Sequence, residues 1–228
     1  MIDLHSHILP GIDDGSQSVE ETQALLETLY NQEVTTVAAT PHFYANREDP
    51  ETFLRRREAA AAALPSCESF PRVVLGAEVA YFPGMGSCET LIPLRIGNSN
   101  LLLVEMPFCA WKEKVITDIC NIPSRLGLIP VLAHVDRYRA RGQFPKYCEQ
   151  LLENDVLFQC NAAIFESIWG RQWALRQLRN GTIHFLGSDC HNLTTRRPKL
   201  QQASQIIANK LGPEMLDQLN TQAAQLLE

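Results

Sequence analysis

The sequence predicts a parallel α/β fold, built either as a barrel or as an open sheet. Short apolar runs alternate with longer segments of helical pattern along the chain. Several runs are continuously apolar, such as Leu101 to Val104 and Val131 to Ala133, which is typical of parallel strands buried on both faces. Strands that alternate with helices in this way form parallel sheets. The predicted strands lie near residues 2–4, 36–40, 73–78, 101–106, 129–133, 156–160 and 182–187.

Helix signals lie between these strands. Ser18 and Glu21 have the spacing of a capping box, and apolar residues follow at helical intervals. Asp49 followed by Pro50 has the pattern of an N-cap and a first helical residue, which predicts a helix over 51–63.

The end of the chain predicts two further helices, near 199–211 and 214–227, separated by Gly212 and Pro213. No repeat, low-complexity tract or long linker divides the sequence. We therefore expect one domain over residues 1–228, which is long enough to bury a substantial core.

The composition excludes several function classes. The net charge of −6 argues against general nucleic-acid binding, which needs a basic face. No apolar run reaches the roughly 20 residues that span a bilayer, so we expect no membrane insertion. The first residues, MIDLHSHILPG, lack the basic start and apolar stretch of a secretory signal. We therefore expect a cytoplasmic protein.

Cysteines form no CxxC pair and no regular spacing. We expect reduced thiols, several of them buried, rather than a disulfide framework. The seven are Cys67, Cys88, Cys109, Cys120, Cys148, Cys160 and Cys190.

Histidines give the strongest functional signal, because five of the six stand at or just after the end of a predicted strand. Glu78 ends the third strand, and Asp189 follows the seventh. In a parallel barrel the carboxyl ends of all strands converge on one face, where active sites are built. Imidazole and carboxylate together suit Zn, Mn or Fe. The five histidines are His5 and His7 after the first strand, His42 after the second, His134 after the fifth and His191 after the seventh.

Each element of this pattern is weaker alone. His5 and His7 are spaced so that both rings can point to one side of a strand, but an isolated HxH is often accidental. His42 alone fits a hydrogen-bonded loop histidine. A carboxylate at Glu78 must be paired or coordinated if it is buried. His184 lies inside the last predicted strand, which favours a core or supporting role.

Other polar residues also lie near strand ends. Asp13 and Asp14 stand in the turn GIDDG. Turn chemistry accounts for Asp13, whereas Asp14 is a candidate ligand. Glu105 and Asn161 end the fourth and sixth strands and are candidates to orient ligands or phosphate.

Arginines near these histidines suggest a phosphate substrate. Arg137 and Arg196 follow the histidines of the fifth and seventh strands by three and five residues. Guanidinium binds phosphate oxygens through paired hydrogen bonds that lysine cannot reproduce. A surface salt bridge is the alternative for either arginine. Three further arginines are expected to shape the rim or attract an acidic peptide, namely Arg139, Arg141 and Arg197.

Five segments resemble, in order, the PHP (polymerase and histidinol phosphatase) superfamily. They are MIDLHSHILPGIDDG, TPHF, GAEVAYFPG, LAHVDRY and GSDCHN with a following Arg196. More closely, they resemble its bacterial tyrosine-protein phosphatase branch, associated with capsule and exopolysaccharide synthesis. The similarity runs from residue 2 to about 198, and the first and last segments are the most specific.

The resemblance implies a distorted (β/α)7 TIM-like barrel of the PHP type. It also implies a centre of three divalent metal ions, with manganese expected and iron or zinc as alternatives. Arg137 and Arg196 match arginines that the family uses near the phosphate. By this resemblance His5, His7, Glu78 and Asp189 hold one ion, His42 and His134 hold a second with Glu78 as a bridge, and Asp14 and His191 complete a third.

The implied activity is hydrolysis of phosphotyrosine on a protein, with the phosphorylated tail of a bacterial tyrosine autokinase as partner. We hypothesise that a metal-activated hydroxide attacks phosphorus in line with the tyrosyl oxygen, while the two arginines hold the equatorial oxygens. The phenolate leaving group has a parent pKa of about 10, so it departs more easily than a serine alkoxide.

Alternatives remain at this point. A small-molecule phosphatase of the histidinol-phosphate type would use the same metals, because the ligands address only the phosphate. A PHP-type exonuclease is disfavoured, because strand binding needs a positive groove. A binding module whose metals only stabilise the barrel would not turn over any phosphoester. Cys190 and Arg196 match the C-x5-R spacing of cysteine phosphatases, but HNLTT between them lacks the glycines of a phosphate loop.

Overall fold

A computed structural model describes residues 1–64, 66–67, 69–139 and 143–228. The strands in these ranges are β1 Ile2–Ser6, β2 Thr36–Ala39, β3 His42–Phe43, β4 Arg72–Leu75, β5 Glu78–Ala80, β6 Leu101–Glu105, β7 Ile129–Leu132, β8 Leu157–Asn161 and β9 Phe185–Gly187. The helices are α1 Val19–Asn31, α2 Pro50–Ala62, α3 Glu113–Leu126, α4 Val135–Tyr138, α5 Gln143–Leu152, α6 Ile168–Arg179, α7 Leu200–Leu211 and α8 Pro213–Leu227.

The described strands form, in chain order, a distorted barrel of seven staves, where a stave is one strand or two short strands that follow each other in line. All pairings between the described strands are parallel. One sheet has the order β1-β2-β4 and the other β3-β5-β6-β7-β8-β9. β2 with β3, and β4 with β5, are consecutive pieces of two interrupted staves. The parallel α/β prediction is therefore confirmed, in its barrel form.

The last stave returns to the first and closes the ring. Ser6 and Cys190 form a parallel bridge. The backbone N–H of His7 donates to the carbonyl of Cys190 at 2.9 Å, and that of Asp189 donates to the carbonyl of His5 at 2.8 Å. Because the closing hydrogen bonds lie at the carboxyl ends of β1 and β9, they bring His5, His7 and Asp189 together.

Two predicted strand boundaries are wrong. The single strand predicted over 73–78 is two strands, β4 and β5, because the chain leaves the ladder at Gly76 and Ala77. The strand predicted over 182–187 begins only at Phe185, so His184 precedes it. β3 was not predicted, since two residues give no periodic signal.

The smaller of two apolar clusters fills the barrel interior. It takes Leu4 from β1, Ala38 from β2, Val74 from β4 and Phe185 from β9, together with residues of β6 and β7. Ala223 and Leu227 of α8 join this cluster. The larger cluster packs the opposite faces of the strands against the surrounding helices. Strands buried on both faces explain the continuously apolar runs.

Both predicted helix starts are confirmed. Ser18 Oγ accepts a hydrogen bond from the backbone N–H of Glu21 at 3.2 Å, and Asp49 Oδ1 accepts from Thr52 at 3.0 Å. No helix within the described ranges is long and apolar enough to cross a membrane. The seven cysteines are free, and Cys160 and Cys190 among them are buried.

Candidate metal centre

The structure brings the eight predicted ligands to the carboxyl ends of the staves. His5 belongs to β1 and His7 follows it, His42 opens β3, and Glu78 opens β5. The side chains of His5, His7, Glu78, His134, Asp189 and His191 are buried, whereas that of Asp14 is 64% exposed. The centre is therefore a buried cluster with one carboxylate on its solvent side.

The first group of possible ligands joins β1 to the residues after β9. His5 Nε2 and His7 Nε2 lie 3.1 Å apart. Both atoms lie 3.6 Å from Asp189 Oδ1, and they lie 3.4 and 3.3 Å from Glu78 Oε2. His5, His7 and Asp189 could hold one metal ion.

The second group lies on the solvent side. Asp14 Oδ1 is 3.5 Å from His42 Nε2 and 3.4 Å from His191 Nε2. His7 completes this group. Asp14 and His191 are therefore adjacent, as the family resemblance implies, and His42 joins them.

The third group contains a carboxylate that the sequence suggested only as a supporting residue. His134 Nε2 lies 3.0 Å from Glu78 Oε1 and 3.4 Å from Glu105 Oε1. Glu78, Glu105 and His134 could hold an ion. His42 Nδ1 lies 2.9 Å from the other Glu78 oxygen, so Glu78 touches both His42 and His134, although no ligand group among the described residues contains both histidines.

Hydrogen bonds to the outer ring nitrogens orient three histidine rings toward the cluster. The Nδ1–H of His5 donates to Gln159 Oε1 at 3.1 Å, that of His7 to Asp13 Oδ2 at 2.7 Å, and that of His191 to the carbonyl of Asp189 at 3.0 Å. Each Nε2 atom therefore faces the cluster and is the ring nitrogen available to a metal ion.

The ring nitrogens of the cluster suit a cation. The Nε2 atoms of His5 and His7 face each other at 3.1 Å. Among the described residues, no hydrogen-bond partner is found for the buried Nε2 atom of His191. Buried polar atoms without partners are costly, and divalent ions would satisfy them. The residues present therefore fit a metal centre.

The pKa shifts of His7, His134 and Glu78 show that the cluster attracts positive charge. Burial opposes charging of His7, but hydrogen bonds and Coulombic attraction from Asp13 and Glu78 prevail and raise its pKa to about 10. Burial similarly opposes charging of His134, but Glu105 and Glu78 raise its pKa to about 9. Burial works against ionisation of Glu78, yet His5 and the histidines around it keep its pKa below the usual range. The Glu78 carboxylate is thus ionised and attracts positive charge.

His191 behaves in the opposite way. Burial and the neighbouring positive charges of His7 and Arg196 lower its pKa to about 4. It is therefore neutral at physiological pH, which is the form that binds a metal, whereas His7 and His134 would each release a proton on metal binding.

Two residues that sequence reasoning missed hold the ligand rings in place. Asp13 was assigned to turn chemistry, and it does accept from the backbone of Gly15 at 2.9 Å. Its other oxygen, however, accepts from His7 and from the backbone N–H of His42 at 2.9 Å. Gln159 Oε1 accepts from His5 and from the backbone of His134 at 2.7 Å. Neither residue has a sequence spacing that marks it.

Asn161 occupies the supporting position suggested for it. Its Nδ2 donates to Asp189 Oδ2 at 2.8 Å, and its Oδ1 accepts from Gln159 Nε2 at 3.0 Å. A chain of amide hydrogen bonds thus links Asp189 to Gln159 and on to His5.

The backbone is strained at two of the proposed ligands. His134 has φ 35° and Asp189 has φ 50°, in the left-handed region that non-glycine residues seldom adopt. Glycine is required in the GIDDG turn, because a Cβ on Gly15 would lie 2.1 Å from the carbonyl oxygen of His7.

Arg137 and Arg196 both reach the edge of the centre. Their side chains are 34% exposed, and both bind Asp189. Arg196 Nη2 donates to Asp189 Oδ1 at 2.7 Å, and Arg137 Nη2 donates to Oδ2. The three arginines expected at the rim lie in different surroundings. The guanidinium carbon of Arg139 lies 5.8 Å from the centre of the Trp173 ring, Arg197 is exposed, and Arg141 lies outside the described residues.

Cys190 and His184 lie apart from this chemistry. Cys190 is fully buried, and burial with the nearby Asp3 carboxylate raises its pKa far above the usual value. It is an inaccessible thiol rather than a nucleophile. His184 Nδ1 accepts from the backbone of Phe158 at 3.1 Å, which is a structural role.

Comparison with known proteins agrees with this fold. Residues 1–228 match the model of the family described as "Capsular polysaccharide synthesis, CpsB/CapC". The tyrosine-protein phosphatase CpsB of Streptococcus pneumoniae is 31% identical over 96% of this chain and 94% of its own.

Two solved structures share the fold. One, described as YwqE from Bacillus subtilis and CpsB from Streptococcus pneumoniae, unique metal-dependent tyrosine phosphatases, matches with TM-score 0.81 and 24% identity over 100% of this chain and 94% of that chain. The histidinol phosphate phosphatase of Lactococcus lactis matches with TM-score 0.56 and 14% identity over 92% and 93%. Because the family model covers every residue, this chain belongs to the CpsB/CapC family of capsular polysaccharide synthesis.

Proposed function

We propose that this chain is a metal-dependent phosphatase that removes phosphate from phosphotyrosine on a protein. The observation that carries the proposal is the convergence of histidine ring nitrogens and carboxylates beside two arginines at the carboxyl face of a barrel. The name of the relative from Streptococcus pneumoniae, a tyrosine-protein phosphatase, supports the choice of substrate.

We assign the three ligand groups to three divalent ions, with manganese first and iron or zinc as alternatives. The proposed ligands are the eight residues expected from the sequence, with Glu105 added beside His134. Bound ions would supply charge stabilisation for the phosphoryl group and a water of lowered pKa. His7 belongs to two of the three groups, and Glu78 of the third group lies 3.4 and 3.3 Å from His5 and His7, which supports a multinuclear centre rather than a single site.

The arginines would bind the phosphoryl oxygens. Arg137 and Arg196 reach the centre from the solvent side, with their guanidinium groups held by Asp189. A guanidinium has five donors, so each can keep a hydrogen bond to Asp189 while it donates to a phosphate oxygen. Asp189 would thus position both arginines as well as a metal ion.

The partner and the cellular location are inferred from the family match and from the free cysteines. We infer that the substrate is the phosphorylated tail of a bacterial tyrosine autokinase in capsule or exopolysaccharide synthesis, supported by the family assignment. We also infer that residues 1–228 act as one domain in the cytoplasm, since seven free cysteines suit a reducing compartment.

Two histidine variants test the proposal. His42→Ala and His134→Ala should each reduce hydrolysis of a phosphotyrosine peptide by at least about 100-fold, because each removes a ligand. His184→Asn is the matched control, since His184 lies outside the centre, and it should keep wild-type activity. Circular dichroism must show that all three variants fold. Full activity in both ligand variants would refute the proposed site.

A further inference from the structure

An exposed aromatic residue stands beside the third ligand group. Phe108 follows β6, three residues after Glu105, and its side chain is 42% exposed. Its ring is stacked on the ring of His134, with centroids 5.7 Å apart and planes 18° apart. A large apolar side chain thus lies in solvent at the edge of the proposed metal centre.

The ring of Phe108 is supported by a second aromatic ring, that of Tyr138. The centroids of these two rings lie 5.4 Å apart. Tyr138 is buried, and its hydroxyl hydrogen-bonds with both the backbone nitrogen and the carbonyl of Met106 at 3.0 Å. Because Tyr138 is anchored to the same loop, Phe108 rests on a fixed support and keeps part of its ring open.

A second aromatic side chain lies near the centre, but its faces are occupied. The Tyr44 ring lies 5.3 Å from the His42 ring, and the Arg47 guanidinium lies 4.3 Å from its centroid. Tyr44, Arg47, His42 and Asp14 line an open cavity of about 580 Å³. Tyr44 therefore serves as a wall of the substrate entrance, whereas Phe108 retains exposed ring surface.

Exposed ring surface beside an anion-binding centre suits one class of substrate. A phosphotyrosyl group carries its aromatic ring one oxygen away from phosphorus, so phosphate at the ligands places that ring next to the centre. Aromatic pairs are stabilised in stacked or edge-to-face geometry with centroids about 4.5–7 Å apart. A simple alkyl phosphate such as phosphoserine has no ring that could make this contact.

We propose that Phe108 is a specificity-determining residue against which the substrate's aromatic ring packs while the phosphoryl group lies at the Glu78, Glu105 and His134 group. This inference rests on the proposed phosphatase function and adds the part of the site that distinguishes aryl from alkyl phosphoesters. His134 thus contacts both the metal-binding carboxylates and the ring that selects the substrate.

The test uses two phosphonates that differ only in the aromatic ring and cannot be hydrolysed as phosphate esters. Binding of phenylphosphonate and methylphosphonate to the manganese-loaded protein is measured by calorimetry. The wild type should prefer phenylphosphonate by roughly tenfold. Phe108→Ala should lose most of that preference, Phe108→Leu should retain part of it, and Phe108→Trp should retain it.

Methylphosphonate reports on the metal and arginine site alone, so its affinity should be the same in every Phe108 variant. Trp169→Ala is a matched control, because Trp169 is a 78% exposed aromatic at the start of α6, and its preference should equal that of the wild type. A wild-type preference in Phe108→Ala would overturn the inference. Equal wild-type affinity for both probes would overturn it while leaving the phosphate site intact, and wild type that binds neither would overturn the proposed function too.

Discussion

Gln159 Oε1 accepts a hydrogen bond from the Nδ1–H of His5 at 3.1 Å. The same oxygen accepts from the backbone N–H of His134 at 2.7 Å, which fixes the orientation of the amide. His5 therefore carries a proton on Nδ1 and directs Nε2 toward the centre. A neutral glutamine inside β8 thus determines which nitrogen of a proposed ligand is available.

Gln159→Leu should weaken manganese binding roughly 10- to 100-fold, because it removes the acceptor that orients His5. The measurement is a calorimetric titration of metal-stripped protein with Mn²⁺. Gln159→Glu keeps an acceptor oxygen at this position and should bind manganese more tightly than the leucine variant. Equal affinities for the leucine variant and the wild type would show that His5 does not depend on this hydrogen bond.

Asp13→Asn should also weaken manganese binding, by about tenfold or more. Asparagine keeps an oxygen that can serve the Gly15 turn, but it removes the charge that holds the Nδ1–H of His7 at 2.7 Å. Manganese affinity and thermal stability are measured together. If stability falls while metal affinity is unchanged, Asp13 serves only the turn, as the sequence pattern alone suggested.

Cys190→Ser should keep phosphatase activity within about twofold of the wild type, because a buried thiol of raised pKa cannot act as a nucleophile. The steady-state rate of phosphotyrosine-peptide hydrolysis is compared before and after treatment with a thiol alkylating agent. Loss of activity in the serine variant, with normal folding and metal content, would support a cysteine mechanism instead.

Acid should destabilise the fold partly through His184, whose pKa burial lowers from 6.5 to about 4. The folded state favours the neutral ring, so this contribution to stability is complete above pH 6.5 and is lost as the pH falls toward 4. It amounts to something on the order of 1–3 kcal/mol.

His184→Asn lacks this titration. The free energy of unfolding in urea, measured at pH 7.5 and at pH 4.5, should therefore fall by less in the variant than in the wild type. Equal losses in the two proteins would mean that His184 is protonated without penalty in the folded state.

The parallel α/β fold could be predicted because its strands are buried on both faces and form continuous apolar runs such as Leu101 to Val104, whereas the barrel form was implied by the family resemblance. The interruptions between β2 and β3 and between β4 and β5 could not be predicted. β3 has only two residues, and the break at Gly76 and Ala77 lies inside an apolar run. Such breaks depend on pairing with distant strands, which periodicity does not reveal.

The candidate ligands could be predicted because chemistry at a barrel depends on strand ends, and a histidine at a strand end is visible in sequence. The residues that orient these ligands could not be predicted from the sequence. Gln159 contacts His5 across 154 positions in the chain, and Asp13 resembles any turn aspartate. Glu105 was recognised as a strand-end carboxylate, but its distance of 3.4 Å from His134 Nε2 needed the structure.

The most direct test of the proposed function compares two substrates on metal-stripped protein, with and without added Mn²⁺. Phosphotyrosine peptide and histidinol phosphate are supplied at equal concentrations, and phosphate release is measured. We predict no activity without metal and restored activity that strongly favours the peptide. Preference for histidinol phosphate would contradict the substrate assignment, and metal-independent hydrolysis of the peptide would contradict the metal centre itself.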